Sequence, residues 1–199
     1  LDLRWQDWGQ CLPYDRALVG EAAQVGDPPA HSSFVASEQG WQWQIPLRDR
    51  IEVGYAYSPQ FASETQIVAA LRAACADLAD RELRLLRFSC GRPEKFWIAN
   101  CLFLGACDIG PLAATELYLL QSGLTRLLAQ FPAFRMEQDC ASAAEYNRLS
   151  AIEHDGVRDF AAAHFKVSNR QDSPLWQHCR AMAVSSTLRH RLDLFCSSG

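Results

Sequence analysis

A short string running from Gly40 to Pro46 carries the residues best suited to chemistry on a flat ring, and it reads Gly-Trp-Gln-Trp-Gln-Ile-Pro. Large apolar and polar residues alternate along it, which is the period of a half-buried strand. Trp41 and Trp43 are therefore expected on one face of a strand, where two indoles present a wide apolar surface. Such a surface stacks on planar rings with about 0.5–1.5 kcal/mol beyond simple burial. A pair of core tryptophans is the competing interpretation.

Other chemical groups point to no further site. The five histidines are scattered, and neither a G-x-S-x-G nor an H-E-x-x-H motif occurs. No metal site is predicted, and no catalytic residue is assigned. His154 and Asp155 are expected to form an exposed pair on a helix. Asp155, Arg158 and Asp159 are predicted to form a solvated helix face.

Composition excludes several classes of protein. The formal net charge is −4, with both signs mixed and no basic run, so nucleic acid is not an expected partner. No apolar stretch reaches the roughly 20 residues that span a bilayer, so no membrane association is expected. The eight cysteines form no C-x-x-C pair, and the first residues do not resemble a signal peptide. Buried thiols in a reducing cytoplasm are the favoured interpretation.

The first part of the chain reads as strands and turns, and these must position the two tryptophans. Residues 48–50 are predicted to join two of the strands as a hairpin. The expected strands cover Tyr14–Val19, Ser33–Ala36, Trp41–Leu47, Ile51–Ser58 and Leu85–Phe88.

Helical patterns dominate the later part. Ser63 with Gln66, and Ser142 with Glu145, form capping-box patterns that predict two helix starts. The first helix is expected to place its apolar residues on one face, namely Ile67, Val68, Leu71, Cys75 and Leu78. Further helices are expected from Thr115, as N-cap, to Phe131, from Ser142 to about His164, and in pieces from Trp176 to Phe195, with Pro174 before the last. The chain is therefore predicted to be α+β, with a boundary near Pro111.

Several strings together resemble the flavin-dependent tryptophan halogenase family. The string at Gly40–Pro46 looks like its G-W-x-W-x-I-P motif. Four other segments resemble its L-P-x-D-R-A strand, its G-R-x-x-x-x-W-x-x-N-C segment, its I-Q-S-G helix and its H-Y-x-x-x-x-R-x-D-x-P-F-W segment, in that order: Cys11–Ala17, Gly91–Cys101, Leu120–Gly123 and His164–Trp176. The resemblance covers roughly residues 11 to 195.

The resemblance implies a bound reduced FAD, supplied by a separate flavin reductase, and chloride or bromide as the halide. The residues implied at the flavin are Trp41, Trp43, Ile45, Pro46, Gly105, Pro111 and Leu112. Thr115 is implied at the halide, because amides at a helix start suit an anion; a plain helix N-cap is the alternative. The loop departs from the family, since Gly110 and Ala113 stand where the family has glutamates, and the loop is shorter.

The resemblance also implies where an aromatic small-molecule substrate, such as an indole, is held. Phe165, Gln171, Leu175 and Trp176 match the family's substrate segment. Trp176 can stack on an indole, but the neutral Gln171 would hold an ammonium group less well than a carboxylate would. Packing within a helical module is the alternative role for these side chains.

The resemblance implies two parts: residues 1–112 as the C-terminal part of a flavin-binding, monooxygenase-like module with a partial sheet, and residues 113–199 as a mainly helical module that caps the substrate. No G-x-G-x-x-G occurs, and Lys95 and Lys166 do not match the family's lysine context. The chain is therefore expected to be an incomplete halogenase, inactive alone and located in the cytoplasm.

Two other functions stay open. One is a degenerate, non-catalytic homologue that binds an aromatic ligand, which Gly110, Ala113 and the short loop favour. The other is a flavin monooxygenase relative, which the intact Gly40–Pro46 string disfavours. Uncovered apolar edges of a partial sheet predict self-association. The paired tryptophans and the turn before Thr115 are expected on opposite sides of one chamber.

Overall fold

Mixed strands and helices make up the chain in the computed structural model, which confirms the α+β class. The structure describes residues 3–24, 26–27, 29–105, 109–110, 115–131 and 140–198. The strands are β1 (Trp5–Asp7), β2 (Arg16–Ala23), β3 (Ser33–Ser37), β4 (Gly40–Pro46), β5 (Arg50–Tyr57), β6 (Arg84–Arg87), β7 (Gly91–Pro93), β8 (Trp97–Ile98) and β9 (Cys101–Leu102). The helices are α1 (Glu64–Ala74), α2 (Glu116–Gln130), α3 (Cys140–Lys166), α4 (Pro174–Ala181) and α5 (Ser186–Ser198).

A five-stranded antiparallel sheet in the order β3-β4-β5-β2-β6 forms the centre of the fold. The predicted hairpin at residues 48–50 is confirmed, because β4 and β5 pair from Trp41–Ala56 to Pro46–Ile51. The strand predicted at Tyr14 begins two residues later, at Arg16. Tyr14 instead lies just before the sheet.

The sheet buries both of its faces. One face packs on α1 and on a 3₁₀ turn at Ala76–Leu78, through an aliphatic and tyrosine core. The other face packs on the C-terminal helices, through a core that includes Trp43, Phe165 and Trp176. We call these the α1 face and the aromatic face. Because side chains alternate along each strand, neighbouring residues serve different cores.

Helix α1 begins as its sequence predicts. Ser63 accepts a hydrogen bond from the Gln66 amide, and the Gln66 side chain accepts one from the Ser63 amide. The helix is shorter than predicted, since it ends at Ala74 and Cys75 is extended. Leu78 is therefore not on the helix, although it joins the same core from the 3₁₀ turn.

The helical part confirms some predicted boundaries and contradicts another. Helix α2 covers the predicted length, and Pro174 occupies the first turn of α4, where its missing N–H costs nothing. The capping box predicted at Ser142 is wrong, because α3 already includes Cys140. Glu145 pairs instead with Arg148, one turn along the same helix.

Candidate functional site

The two tryptophans of β4 share the aromatic face, as their spacing predicts. Trp41 lies opposite Ala56 and Trp43 lies opposite Gly54 on β5. A Cβ added at Gly54 would come within 2.0 Å of the Trp43 ring. The small partners on β5 therefore make the room that two adjacent indoles need.

Trp43 is a fully enclosed core residue. Its side chain is 1% exposed. Its indole N–H donates to Oε1 of Glu52 across the strand pair at 3.1 Å. The ring covers Gly54 and its polar atom is satisfied, so the structure gives Trp43 a packing role. The predicted contact with flavin stays a prediction.

Trp41 joins a set of rings at the junction of sheet and helices, which we call the aromatic cluster: Tyr14, Trp41, His164, Phe165 and Trp176. The Trp41 ring meets those of His164, Phe165 and Trp176 edge-on, with centroids 6.0, 6.2 and 6.0 Å away. These are the edge-to-face arrangements that aromatic pairs favour. The Trp41 N–H is buried and has no hydrogen-bond partner among the described residues.

The structure brings together three of the four residues predicted at the substrate. Phe165, Leu175 and Trp176 lie in the core of the aromatic face, with Trp176 fully buried. Phe165 stacks on Trp176 at 6.1 Å. Gln171 is exposed, and its carbonyl accepts from the side chain of Gln177 at 3.4 Å. Gln171 therefore lies apart from the ring contacts that join the other three.

Two hydrogen bonds fasten the helical segment to the end of β3. The Trp176 N–H donates to the carbonyl of Ser37 at 2.8 Å, and Arg170 donates to the carbonyl of Ala36 at 2.7 Å. Arg170 also pairs with Asp172. No role was predicted for Arg170, although it matches the arginine of the family's substrate segment. The signal that could have found it is the R-x-D spacing, because the aspartate orients the guanidinium.

The turn that leads toward Thr115 lies against the same cluster. Ile109 is buried, and its carbonyl accepts a hydrogen bond from the Tyr14 hydroxyl. Gly105 and Gly110 both have left-handed backbones, with φ of 63° and 61°, which glycine adopts without strain. Among the predicted flavin residues, Ile45 packs on the aromatic core. Pro111 and Leu112 lie outside the described residues, as does Ala113.

Thr115 directly precedes α2, but it does not cap the helix with its side chain. Its backbone is helical, with φ −101° and ψ −7°, rather than the extended form that a side-chain cap uses. The prediction that Thr115 is the N-cap residue of α2 is confirmed in its position, without the side-chain hydrogen bond. The predicted halide contact at Thr115 stays a prediction.

Packed rings connect the two predicted walls of the chamber. Trp41 contacts Phe165, Phe165 stacks on Tyr14 at 5.2 Å, and Tyr14 binds the carbonyl of Ile109. The tryptophan strand and the turn are therefore joined within one core through two intervening side chains. The space between the strand and the turn along these contacts is filled by the packed side chains of Phe165 and Tyr14.

The helix face predicted to be solvated is in fact a half-buried charge network. Arg92 donates to both carboxylate oxygens of Asp155, at 2.9 and 3.3 Å. Arg158 pairs with Asp159 at 2.8 Å, and Asp159 also accepts from Ser185 at 2.7 Å. The Asp159 side chain is 4% exposed. This charge network lies where α3 packs against β7, which carries Arg92, and against the start of α5, next to Ser185. That position explains why Asp159 is buried.

His154 is also buried rather than exposed. Its ring lies 4.3 Å from that of Phe96, and Nδ1 is 2.8 Å from the Ser150 carbonyl. Burial lowers the pKa of His154, because the charged imidazolium is poorly solvated there. Nε2 has no hydrogen-bond partner among the described residues. The prediction of an exposed pair with Asp155 is therefore wrong.

Among the described residues, Cys11 and Cys179 are poor nucleophiles and no metal centre is formed. Burial raises the pKa of Cys11 to about 11 and that of Cys179 to about 12, so both stay protonated and unreactive at neutral pH. The six cysteines whose side chains are described form no disulfide. In the described ranges, no group of three His, Cys, Asp or Glu residues could hold a metal ion.

A groove of about 580 Å³ lies away from the predicted site residues. It runs between the β8 segment and the first half of α3, and Trp97, Ala99 and Asn147 are among the residues that line it.

Over the described part of the chain, no helix is both long and apolar enough to cross a bilayer.

Comparison with known proteins finds tryptophan halogenases and flavin-dependent halogenases. A family model described as tryptophan halogenase matches residues 1–199. The tryptophan 7-halogenase KtzQ of a Kutzneria species is 33% identical over 95% of this chain and 36% of its own length. The tryptophan 7-halogenase RebH of Lentzea aerocolonigenes is 31% identical over 82% of this chain and 31% of its own.

Solved structures agree. A flavin-dependent halogenase from Xanthomonas campestris superposes with a TM-score of 0.90 at 33% identity, over 97% of this chain and 39% of its own. The flavin-dependent halogenase BrvH from a Brevundimonas species gives 0.88 at 34% identity, over 98% and 40%. The chain thus spans between 31% and 40% of the length of these four relatives.

Proposed function

The chain belongs to the tryptophan halogenase family, and from that membership we propose that it supplies the substrate-side part of a flavin-dependent halogenase that chlorinates or brominates an electron-rich aromatic ring such as an indole. The observation that carries this proposal is the aromatic cluster. Trp41, Phe165 and Trp176 come from separate elements, yet their rings meet at the junction of sheet and helices. Phe165 and Trp176 are buried, whereas Trp41 is only partly buried, so the Trp41 ring is the part of the cluster that could meet a planar substrate.

The residues of this chain suit one edge of a flavin. Gly105 has a left-handed backbone, and a Cβ there would find its nearest neighbour 3.9 Å away, so a flat ring could approach the main chain closely. Ile45 and Pro46 at the end of β4 are partly exposed and could lie beside it. When bound, reduced flavin would activate oxygen, and the activated oxygen would be the oxidant for halide.

The protein side chains would orient the substrate and exclude water from it. Trp41 would face the ring through the part of its indole that is exposed, since its N–H is buried. Amides at the start of α2, beside Thr115, would attract the halide, although the exposed carboxylate of Glu116 in the first helical turn weakens that attraction. Ala113 supplies no carboxylate to position the substrate, so binding would depend on packing.

A non-catalytic homologue that binds an aromatic ligand is the second candidate. The specific support for it is Gly110, which stands where the family has a glutamate. A Cβ at Gly110 would come within 2.6 Å of the Phe88 ring and 2.9 Å of the Tyr14 ring. The two rings therefore fill the space into which a side chain would project from this position.

The proposal also covers the two parts of the chain, its partner, its location and its self-association. We place the flavin-module part at residues 1–112 and the substrate-capping part at residues 113–199, with a flavin reductase as partner. The absence of disulfides among the described cysteines supports a cytoplasmic location. Exposed apolar residues on α2, including Leu117 and Leu128, support self-association.

A segment exchange tests the proposed function. Residues 1–199 would replace the matching segment of the Xanthomonas campestris halogenase, and the chimera would be assayed with FAD, a flavin reductase, NADH, bromide and indole. We expect bromoindole by mass spectrometry. Trp41→Leu should lower the rate by about ten-fold or more, because ring placement is lost. Trp97→Leu, outside the cluster, is the matched control and should retain activity.

The same assay also defines the result that would contradict the proposed function. A folded chimera that binds FAD but forms no bromoindole would contradict catalysis by this segment. It would favour the non-catalytic homologue instead.

A further inference from the structure

Tyr14 is held in place on every side at the meeting point of the sheet, the helices and the turn before α2. Its ring stacks on Phe165 at 5.2 Å and meets Phe88 edge-on at 5.6 Å. Its carbonyl accepts from the Cys90 thiol at 3.5 Å, and its amide donates to Leu12 at 2.8 Å. The residue is 4% exposed. A side chain fixed in this way can fix whatever its hydroxyl binds.

The Tyr14 hydroxyl binds the turn. It donates to the carbonyl of Ile109, a residue 95 positions away in the sequence. Ile109 itself is 2% exposed and belongs to the aromatic core. A buried carbonyl needs a donor, and the phenol supplies one that a phenylalanine could not.

Gly110 follows Ile109, and here the main chain passes very close to two aromatic rings. Its left-handed backbone passes so near the rings of Phe88 and Tyr14 that any Cβ would collide with them. The glutamate that the family has at this position could not be accommodated beside these two rings without rearrangement. Tyr14, Phe88 and Gly110 are therefore packed tightly against one another as one unit.

This unit connects the turn to the aromatic cluster. Trp41 contacts Phe165, Phe165 stacks on Tyr14, and Tyr14 holds Ile109. A shift of the phenol would move the turn relative to the rings proposed to hold the substrate. The described residues Ile109 and Gly110 lie five or six residues before Thr115, the predicted halide residue.

We propose that Tyr14 is a positioning residue: its hydroxyl sets the Ile109–Gly110 turn, which precedes the predicted halide residue Thr115 in the sequence, at a fixed place against the aromatic cluster. This inference rests on the proposed function for its catalytic consequence. The positioning itself is a property of the chain and can be measured without activity.

The first experiment measures hydrogen exchange of the 199-residue chain. Tyr14→Phe keeps the ring stack and removes the donor, so exchange at Ile109 and Gly110 should rise by about five-fold, the effect of one lost hydrogen bond. Tyr57→Phe is the matched control, because Tyr57 is buried on the α1 face and the side chain near its hydroxyl is that of Arg16, away from the Ile109–Gly110 turn. Unchanged exchange at the turn, or a rise equal to that of the control, would overturn the proposal.

The second experiment uses the bromoindole-forming chimera. In it, Tyr14→Phe should raise the bromide concentration for half-maximal rate by about three-fold or more, since the turn loses its fixed place, and leave KM for indole within about two-fold because the ring stack remains. A changed indole KM with unchanged bromide dependence would contradict the proposed role. If the unmutated chimera forms no bromoindole, the proposed function fails, and the exchange experiment alone decides whether Tyr14 positions the turn.

Discussion

Both faces of the sheet are buried, but different kinds of residue cover them. The α1 face packs Leu18, Val53, Ile67, Leu71 and their neighbours against a single capped helix. The aromatic face packs large rings over Gly54 and Ala56, against elements that are distant in the sequence. Beside it lie a buried charge network and a buried histidine.

The difference predicts that the two faces respond differently to substitution. An aliphatic core tolerates exchange of one apolar residue for another of similar volume. Stacked rings, oriented indole N–H groups and a tyrosine–carbonyl bond fix directions as well as volume. We therefore expect substitutions on the aromatic face to change geometry, and substitutions on the α1 face to change stability alone.

The largest contrast is expected from two truncations. Trp176→Ala should lower the free energy of unfolding by about 4 kcal/mol, because it leaves a cavity and removes the donor to Ser37. Leu71→Ala should lower it by about 3 kcal/mol. Urea unfolding measures both values. Near-UV circular dichroism should lose the aromatic signal only in Trp176→Ala; a similar loss in Leu71→Ala would remove the distinction between the faces.

A second contrast uses two arginines. Arg158→Ala should lower the free energy of unfolding by about 3 kcal/mol, because it leaves the buried carboxylate of Asp159 without its cation. Arg81→Ala, which breaks an exposed pair with Asp77 near the α1 face, should cost less than about 0.5 kcal/mol. Chemical denaturation of the two variants at low and high salt measures this. Equal costs would show that the network is no more enclosed than a surface pair.

The smallest contrast concerns pH. Burial lowers the folded-state pKa of His154, so below its unfolded value of about 6.5 the unfolded chain binds a proton first. Stability should therefore fall by up to about 1 kcal/mol per pH unit from pH 6.5 toward 5. His154→Gln should flatten the curve in this range. A curve of unchanged slope would assign the loss to another group.

Glu153 cannot explain a loss in that window. Burial raises the pKa of Glu153, but hydrogen bonds from Ser122, Arg126 and Tyr118 outweigh it and hold the pKa below the usual 4.5. Its stabilising charge is therefore lost only below that pH. The core on the α1 face contains no histidine among its described residues and contributes nothing between pH 5 and 6.5.

Local patterns in the sequence predicted much of the fold. The alternation at Trp41 and Trp43 and the capping box at Ser63 depend on neighbours two or three residues apart, and both are confirmed. The capping box predicted at Ser142 failed, since the helix extends past it and Glu145 found another partner in Arg148. A capping pattern cannot distinguish a helix start from a helix interior when the preceding residues are also helical.

The site was predicted less completely, because its geometry depends on distant partners. The resemblance identified Trp41, Phe165 and Trp176, which the structure brings together. The bond from Arg170 to Ala36 spans 134 residues, and that from Tyr14 to Ile109 spans 95. The ion pair of Asp155 depends on Arg92, 63 residues earlier. No local spacing signals such pairs.

The most direct test of the account is whether an aromatic ligand reaches the aromatic face. The six tryptophans give six indole N–H signals in a ¹H–¹⁵N spectrum of the 199-residue chain, assignable by single Trp→Phe variants. On addition of indole, we predict that the Trp41 signal moves, because its partly buried ring lies in the aromatic cluster proposed to hold the substrate, and that the Trp97 signal, whose N–H donates to the Ala99 carbonyl, stays in place. A Trp41 signal that is unmoved at saturating indole would contradict the assignment of the aromatic face to substrate.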